Sequence, residues 1–432
     1  MNVCVLGLWH LGTVTAACLA SGGHHVTGLD FDSAVVDGLA AGHPPLFEPG
    51  LEDLVKASLA SGRLRFTIDV ARAVGEAEIV WVAYDTPVDE DDRADVDHVV
   101  DRVARLIPHL RDGAVVLISS QVPVGTTRRL EEAFHRASSG RTVGFGYSPE
   151  NLRLGKAIEV FTHPDRVVVG LRSAADRGKV TALLQPFTDR IEWMSVESAE
   201  MTKHALNAFL ATSVTFINEI AALCEQVGAD ATEVARGLKS EARIGPKAYL
   251  SPGGAFAGGT LARDIVFLSR IGHDHGVPTS LISAVKQSND VHREWAQRRL
   301  QQLLDGVEGR VVAIWGLTYK PGTDTLRRSS SVELCNWLLK GGATVRAHDP
   351  AIRIRPTDLV EGIALADTAL SAVEGASALV ISTPWLEYRQ VAAKDVAARM
   401  KRPLILDASR FTQETLGSAA DIEYVSVGKY SA

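Results

Sequence analysis

Residues 1–12 read MNVCVLGLWHLG and residues 24–30 read HHVTGLD. The run VCVLGL is apolar and short, as a buried strand is, and the pattern after Gly12 has helical period. Between them lies the turn Gly7-Leu-Trp-His-Leu-Gly12. The next apolar run closes on Asp30, about 20 residues further on. Strand, tight turn, helix, and an acidic residue ending the second strand form a dinucleotide fingerprint. In it a pyrophosphate rests on the helix N-terminus and a carboxylate holds the ribose hydroxyls. Asp30 favours NAD over NADP, because it would repel a 2′-phosphate. Trp9 stands where the fingerprint has its middle glycine, so its side chain must point away or the turn must shift. The competing reading is a tight βα turn that binds nothing.

The same alternation continues outward. EIVWVAY (78–84), AVVLISS (114–120) and DRVVVGL (165–171) read as further strands, several of them separated by helical patterns. That order gives βαβ units and a mostly parallel, doubly wound sheet. Residues 196–227 form one continuous helical pattern closed by Gly228, roughly 45 Å long. Helical patterns go on to about Leu304. Alternation then restarts with VVAIWGL (311–317), ATVRAHD (343–349), ALVISTP (378–384), LILDAS (404–409) and EYVSV (423–427). The predicted fold is α/β: two Rossmann-like doubly wound domains joined by a long central helix and a helical middle domain. The expected divisions are 1–195, 196–304 and 305–432.

Composition narrows the function classes. Hydrophobic residues make up 46% and charged residues 22% of the 432, as in a soluble globular protein. A net charge of −7 argues against non-specific binding to nucleic acid or an anionic membrane. No uninterrupted apolar run approaches the ~20 residues of a membrane span. The chain runs straight into a strand with no basic leader, so a cytoplasmic location is expected. Cys4, Cys18, Cys224 and Cys335 have neither metal nor disulfide spacing and read as small buried hydrophobes; no metal site is predicted.

Two further features carry chemistry. Lys203 and Asn207 are four residues apart on the long helix and project from one face among small or apolar residues. The stretch 243–264, RIGPKAYLSPGGAFAGGTLARD, holds five glycines and two prolines. It reads as a constrained loop with exposed amides, and Arg243, Lys247 and Arg263 give it the charge to meet a phosphate.

Together these stretches resemble the UDP-glucose/GDP-mannose dehydrogenase family of nucleotide-sugar dehydrogenases over nearly the whole chain. The matching pieces are GLWHLG, LFEPGLEDL, VPVGTT, YSPENLRLGKAI with PDRVVVG, AEMTKHALNAFLA with INEIAALCE, RIGPK, GLTYKPGTDTLR and AHDP. The resemblance implies an NAD-binding N-terminal domain, a homodimer through helix 196–227 and a C-terminal domain for the nucleotide. Lys203, Asn207 and Asp264 match the proton-handling group around the sugar hydroxyl. Glu150 matches the first acidic residue of a PEFLRE-like motif. The implied cofactor contacts are Gly7, Trp9, His10, Leu11, Gly12, Asp30, Thr86, Gln121, Arg263 and Arg327. The implied substrate contacts are Leu152, Arg153, Tyr249, Phe256, Gly258 and Lys320, with Arg243 matching an arginine donated across the dimer.

The departures follow a pattern. The family's GGSCFPKD is AGGTLARD here, which puts Thr260 at the cysteine position. The second PEFLRE acid is Leu154, the threonine of STVPVG is Gln121, a C-terminal arginine is Ser409, and D-x-R-E reads T325-L-R-R. The family uses its cysteine for a second oxidation, through a thioester. The expected activity is therefore one two-electron oxidation of a sugar alcohol, or a redox-neutral epimerisation with NAD retained. A four-electron oxidation to a uronic acid without a thioester and a catalytically silent binding protein remain as alternatives. A related hydroxyacid dehydrogenase is disfavoured by the second α/β domain with its GLTYKPGTD.

Overall fold

Two sheets organise the chain, one in each of two units, Met1–Leu206 and Asn207–Ala432. The structure is a computed structural model that describes residues 1–87, 94–138, 140–257, 259–357 and 359–429. The first sheet contains Asn2–Leu6 (β1), His25–Leu29 (β2), Leu64–Thr67 (β3), Ile79–Val82 (β4), Val115–Ile118 (β5), Gly144–Tyr147 (β6), Val167–Leu171 (β7) and Ile191–Met194 (β8). Its order is β3-β2-β1-β4-β5-β6-β7-β8, and only the β6–β7 pair is antiparallel. The second sheet contains Val311–Trp315 (β9), Thr344–His348 (β10), Ile363–Leu365 (β11), Ala378–Ile381 (β12), Leu404–Asp407 (β13) and Glu423–Val425 (β14). Its order is β11-β10-β9-β12-β13-β14, all parallel. Both sheets reverse direction of strand addition beside their first strand, where open α/β sheets bind ligands.

The two sheets also build their first turn alike. Gly7 (φ +89°) and Gly316 (φ +91°) follow β1 and β9, and each amide bonds the neighbouring strand, at Leu29 O (2.9 Å) and His348 O (2.8 Å). A carboxylate after the neighbouring strand then holds the next amide: Asp30 Oδ2 accepts from Leu8 N, and Asp349 Oδ2 from Leu317 N, both at 2.7 Å. Each core is a sandwich of apolar strands and helix faces. In the first unit, Val3, Val5, Trp81 and Leu117 pack on one face of the sheet, and Cys4, Leu6, Val80 and Ile118 on the other.

Two of the readings meet further structural detail. By length and composition the Val196–Val227 helix could cross a bilayer, since an 18-residue window has a mean hydropathy of 1.4. Of that window 44% is buried within the protein, and Glu200, Lys203 and His204 near the start of the helix bond neighbouring elements. The stretch 243–264 is not a loop throughout, because a helix runs Thr260–Asp274. Thr260, Arg263 and Asp264 therefore occupy that helix's first turns.

An ion-pair network ties the start of the long helix to the first sheet. Arg172 Nη1 and Arg128 Nη2 both donate to Glu197, each at 2.7 Å. The Arg172 bond, with help from Arg128, lowers the Glu197 carboxyl from 4.5 to about 2 despite partial burial. A carboxylate whose acidity rises on folding contributes stability that is complete above its unfolded value and is lost as pH falls toward its folded value. The urea midpoint should therefore fall between pH ~4.5 and ~2, and Glu197→Gln should flatten that part of the profile.

Candidate active site

The cofactor turn is built by steric necessity at its two ends. A Cβ on Gly12 would lie 1.6 Å from Gly7 O, and one on Gly7 would lie 2.8 Å from the Tyr84 ring. Trp9 is the N-cap of the His10–Ser21 helix and is 49% exposed. The first helical bond runs from Thr13 N to Trp9 O (3.0 Å). The amides of His10, Leu11 and Gly12 thus precede the ladder, a donor set that suits a diphosphate. Asp30 Oδ1 accepts from Phe31 N (2.7 Å) and Asp32 N (3.1 Å), which fixes the carboxylate at the end of β2 for a ribose. These residues fit NAD. Thr86 and Gln121, after β4 and β5, are buried together, with Thr86 Oγ1 donating to Gln121 O at 2.7 Å.

In the first unit Lys203 is 4% exposed. Its Nζ donates to Glu150 O (2.5 Å) and to Glu150 Oε1 (3.2 Å). Glu150 Oε2 accepts from Leu152 N (2.9 Å), which folds the carboxylate back over its own segment. Leu152 packs against the core, and Arg153 is exposed. A buried ammonium held by one carboxylate and one carbonyl is fixed in position and retains a further proton to donate.

In the second unit Asn207 Nδ2 donates to Asp264 Oδ2, and both residues are buried. Lys203 and Asn207 sit one turn apart on their shared helix. Thr260 is exposed at the first position of its helix, behind Gly259 at φ +103°. The preceding glycine-rich segment is pinned by groups on two helices. Asn218 Oδ1 accepts from Gly253 N (3.0 Å), Asn289 bonds both Phe256 N (3.0 Å) and Phe256 O (2.9 Å), and His292 Nε2 meets Gly253 O (2.7 Å). Burial lowers the His292 pKa against the opposing pull of the Gly253 carbonyl, so the ring stays neutral and donates. Tyr249 and Arg327 are exposed, Lys320 is half-buried, and the Arg243 side chain pairs with Glu241 at 2.9 Å. Gly258 lies outside the described residues.

All four cysteines are buried free thiols. Burial pushes Cys4, Cys18 and Cys335 up to about 12, which removes thiolate character. The sequence reading missed several buried carboxylates that organise backbone, three of them bonded to amides on other elements. Glu48 bonds His10, Gly155 and Ala157. Glu200 caps the Thr126–Ala137 helix from a distance, accepting from Gly125 N (2.7 Å), Thr127 N (3.0 Å) and Thr127 Oγ1 (2.7 Å). Asp349 gathers Leu317 N, Thr318 N, Ala351 N and Trp385 Nε1. The LFEPGLEDL, AEMTKH and AHDP stretches contained them, but nothing in the spacing marks an acceptor for remote amides.

Three segments match one family: its NAD binding domain at residues 1–188, its central domain at 197–291 and its UDP binding domain at 313–414. The chain belongs to the UDP-glucose/GDP-mannose dehydrogenase family. Among its relatives, the UDP-glucose 6-dehydrogenase of Pseudomonas aeruginosa is 35% identical, covering 99% of this chain and 98% of the relative. A UDP-glucose 6-dehydrogenase of Bacillus subtilis is 33% identical, with 99% and 98% covered. The structure of a UDP-glucose dehydrogenase from Pyrobaculum islandicum superposes with a TM-score of 0.88 at 28% identity, over 100% of this chain and 98% of that one. The protein is thus an NAD-dependent enzyme of the nucleotide-sugar dehydrogenase type, and the turn at Gly7–Gly12 with Asp30 has the donors and acceptor that its cofactor needs.

Proposed function

We propose that the protein removes one electron pair from an alcohol of a nucleotide-linked sugar, giving an aldehyde or ketone. The observation that supports this is the contrast between two largely buried polar pairs, Lys203 with Glu150 and Asn207 with Asp264, and four cysteines that are all buried. NAD, when bound, supplies the hydride acceptor. Lys203 donates to the developing alkoxide, Asn207 adds a second N–H, and Asp264 takes the hydroxyl proton through a water. Glu150 keeps the Lys203 ammonium in place. Arg263 and Arg327 meet cofactor phosphates. Leu152, Arg153, Tyr249, Phe256, Gly258 and Lys320 contact the substrate. The same residues serve a redox-neutral epimerisation, in which the hydride returns to the opposite face.

One observation favours a second reading. The curated relatives are UDP-glucose 6-dehydrogenases, a name that points to the sugar's primary alcohol. A four-electron oxidation here would pass through an aldehyde hydrate, since Thr260 lacks the nucleophilicity of a thiolate. Incubation with NAD and a panel of nucleotide sugars decides between them. One NADH per sugar consumed is the expected result, and two would overturn the single oxidation. Thr260→Cys is expected to yield little acid, because Leu154 and Gln121 do not replace the groups that would organise water.

The long helix leaves Phe209, Phe216, Leu223 and Val227 exposed, at 69%, 46%, 63% and 74%. Their spacing of seven, seven and four puts them on one stripe, and we infer that this stripe and Arg243 meet a second copy in a homodimer. The three functional parts are proposed as 1–195, 196–304 and 305–432, and the free thiols fit a cytoplasmic location.

A further inference from the structure

Glu48 lies on the connection between the helices Ser33–Ala40 and Leu51–Ala60, outside both the cofactor turn and the acid–base set. Its side chain is only 1% exposed, yet among the described residues it pairs with no lysine or arginine. Instead it joins two separate pieces of the first unit. Oε2 accepts from Gly155 N at 2.8 Å and meets His10 Nε2 at 2.9 Å, and Oε1 accepts from Ala157 N at 2.8 Å. His10 is the first residue of the cofactor helix, between Trp9 and the amides that precede the helical ladder. Gly155 (φ +86°) and Ala157 end the segment that begins with Glu150, the carboxylate on Lys203. One buried carboxylate therefore spans from the cofactor turn to the segment that positions Lys203.

We propose that Glu48 is a positioning residue that transmits occupancy of the cofactor turn to residues 150–157. The functional meaning of that segment rests on the substrate reading given above; the tether itself does not. The chemistry requires a carboxylate. Three donors converge on two oxygens, and an amide offers one acceptor oxygen while turning an N–H toward a donor. A buried donor left facing a donor opens locally. The turn is better fixed when its amides hold a diphosphate. Fixing the backbone at His10 restrains the imidazole, and through Glu48 it restrains Gly155 and Ala157. NAD binding should thereby order the segment that carries Glu150 before any sugar arrives.

The test uses NAD alone and reads amide hydrogen exchange over residues 153–160, with NAD affinity measured in parallel by calorimetry. In the wild type, saturating NAD is expected to slow exchange there by about tenfold. His10→Ala leaves Gly155 and Ala157 bonded to Glu48 and keeps the main-chain amide at position 10, so protection without NAD persists while the NAD-linked increment disappears at NAD concentrations that calorimetry shows to saturate the variant. A purely structural His10 would not separate these two readouts. Glu48→Gln loses both, and adding His10→Ala to it changes nothing further. Where Glu48→Gln does not fold, His10→Ala decides alone. An NAD-linked increment that survives in His10→Ala, or its absence from the wild type, overturns the tether. Because no sugar is present, an inactive protein with the expected exchange pattern would sink the substrate reading and leave the tether standing.

Discussion

Lys203→Ala is expected to lower turnover by about 10²–10⁴-fold while leaving NAD affinity nearly unchanged. The lysine is 4% exposed, and the hydrogen bonds of its Nζ go to Glu150 and not to residues of the Gly7–Gly12 turn. Its removal leaves the Glu150 carbonyl and carboxylate without their shared donor and leaves the alkoxide without its cation. Lys203→Arg should not rescue, because a planar guanidinium cannot occupy the site of a compact ammonium. Steady-state kinetics with calorimetry in parallel checks this. A rate loss under about threefold would remove Lys203 from the mechanism.

Asp30→Ala should weaken NAD by about 100-fold, near 2.7 kcal/mol, and shrink the preference for NAD over NADP. The carboxylate has two roles. It would accept from the ribose, and it holds Leu8 N in the turn and Phe31 N and Asp32 N after β2. Asp30→Asn should fall between, since an amide retains one acceptor but no charge. Titration with both dinucleotides gives the answer directly. NAD binding unchanged in Asp30→Ala would place the ribose elsewhere. No heat with either dinucleotide on the wild type would contradict the cofactor reading.

The strands that could be read in advance were β1, β2, β4, β5, β7, β9, β10, β12, β13 and β14, most of them rich in β-branched or aliphatic residues. Those not read are short or irregular. β6 is Gly-Phe-Gly-Tyr, whose glycines look like a turn. Its antiparallel neighbour explains Gly146, where a Cβ would lie 2.8 Å from Gly170 O. That requirement comes from a strand more than 20 residues away, so no local pattern expresses it. β3 (Leu-Arg-Phe-Thr) and β8 (Ile-Glu-Trp-Met) break a short apolar run with a charged residue, and β11 (Ile-Ala-Leu) stops after three residues, so none stands out from a loop.

The site divides along the same line. The sequence by itself determined what depends on near neighbours: the strand–turn–helix around Gly7 and Gly12, the acidic end of β2, the i,i+4 pair Lys203 and Asn207, and the unbroken helix Val196–Val227. Each is a consequence of backbone sterics or helical period acting over a few residues. Only the tertiary structure decided where Glu48, Glu200 and Asp349 spend their charge, because their partners are amides far away in sequence. It also decided that Thr260 begins a helix and that Lys203 points at Glu150. A buried carboxylate needs donors, but any folded backbone offers many, and the sequence does not say which of them the packing brings within 3 Å.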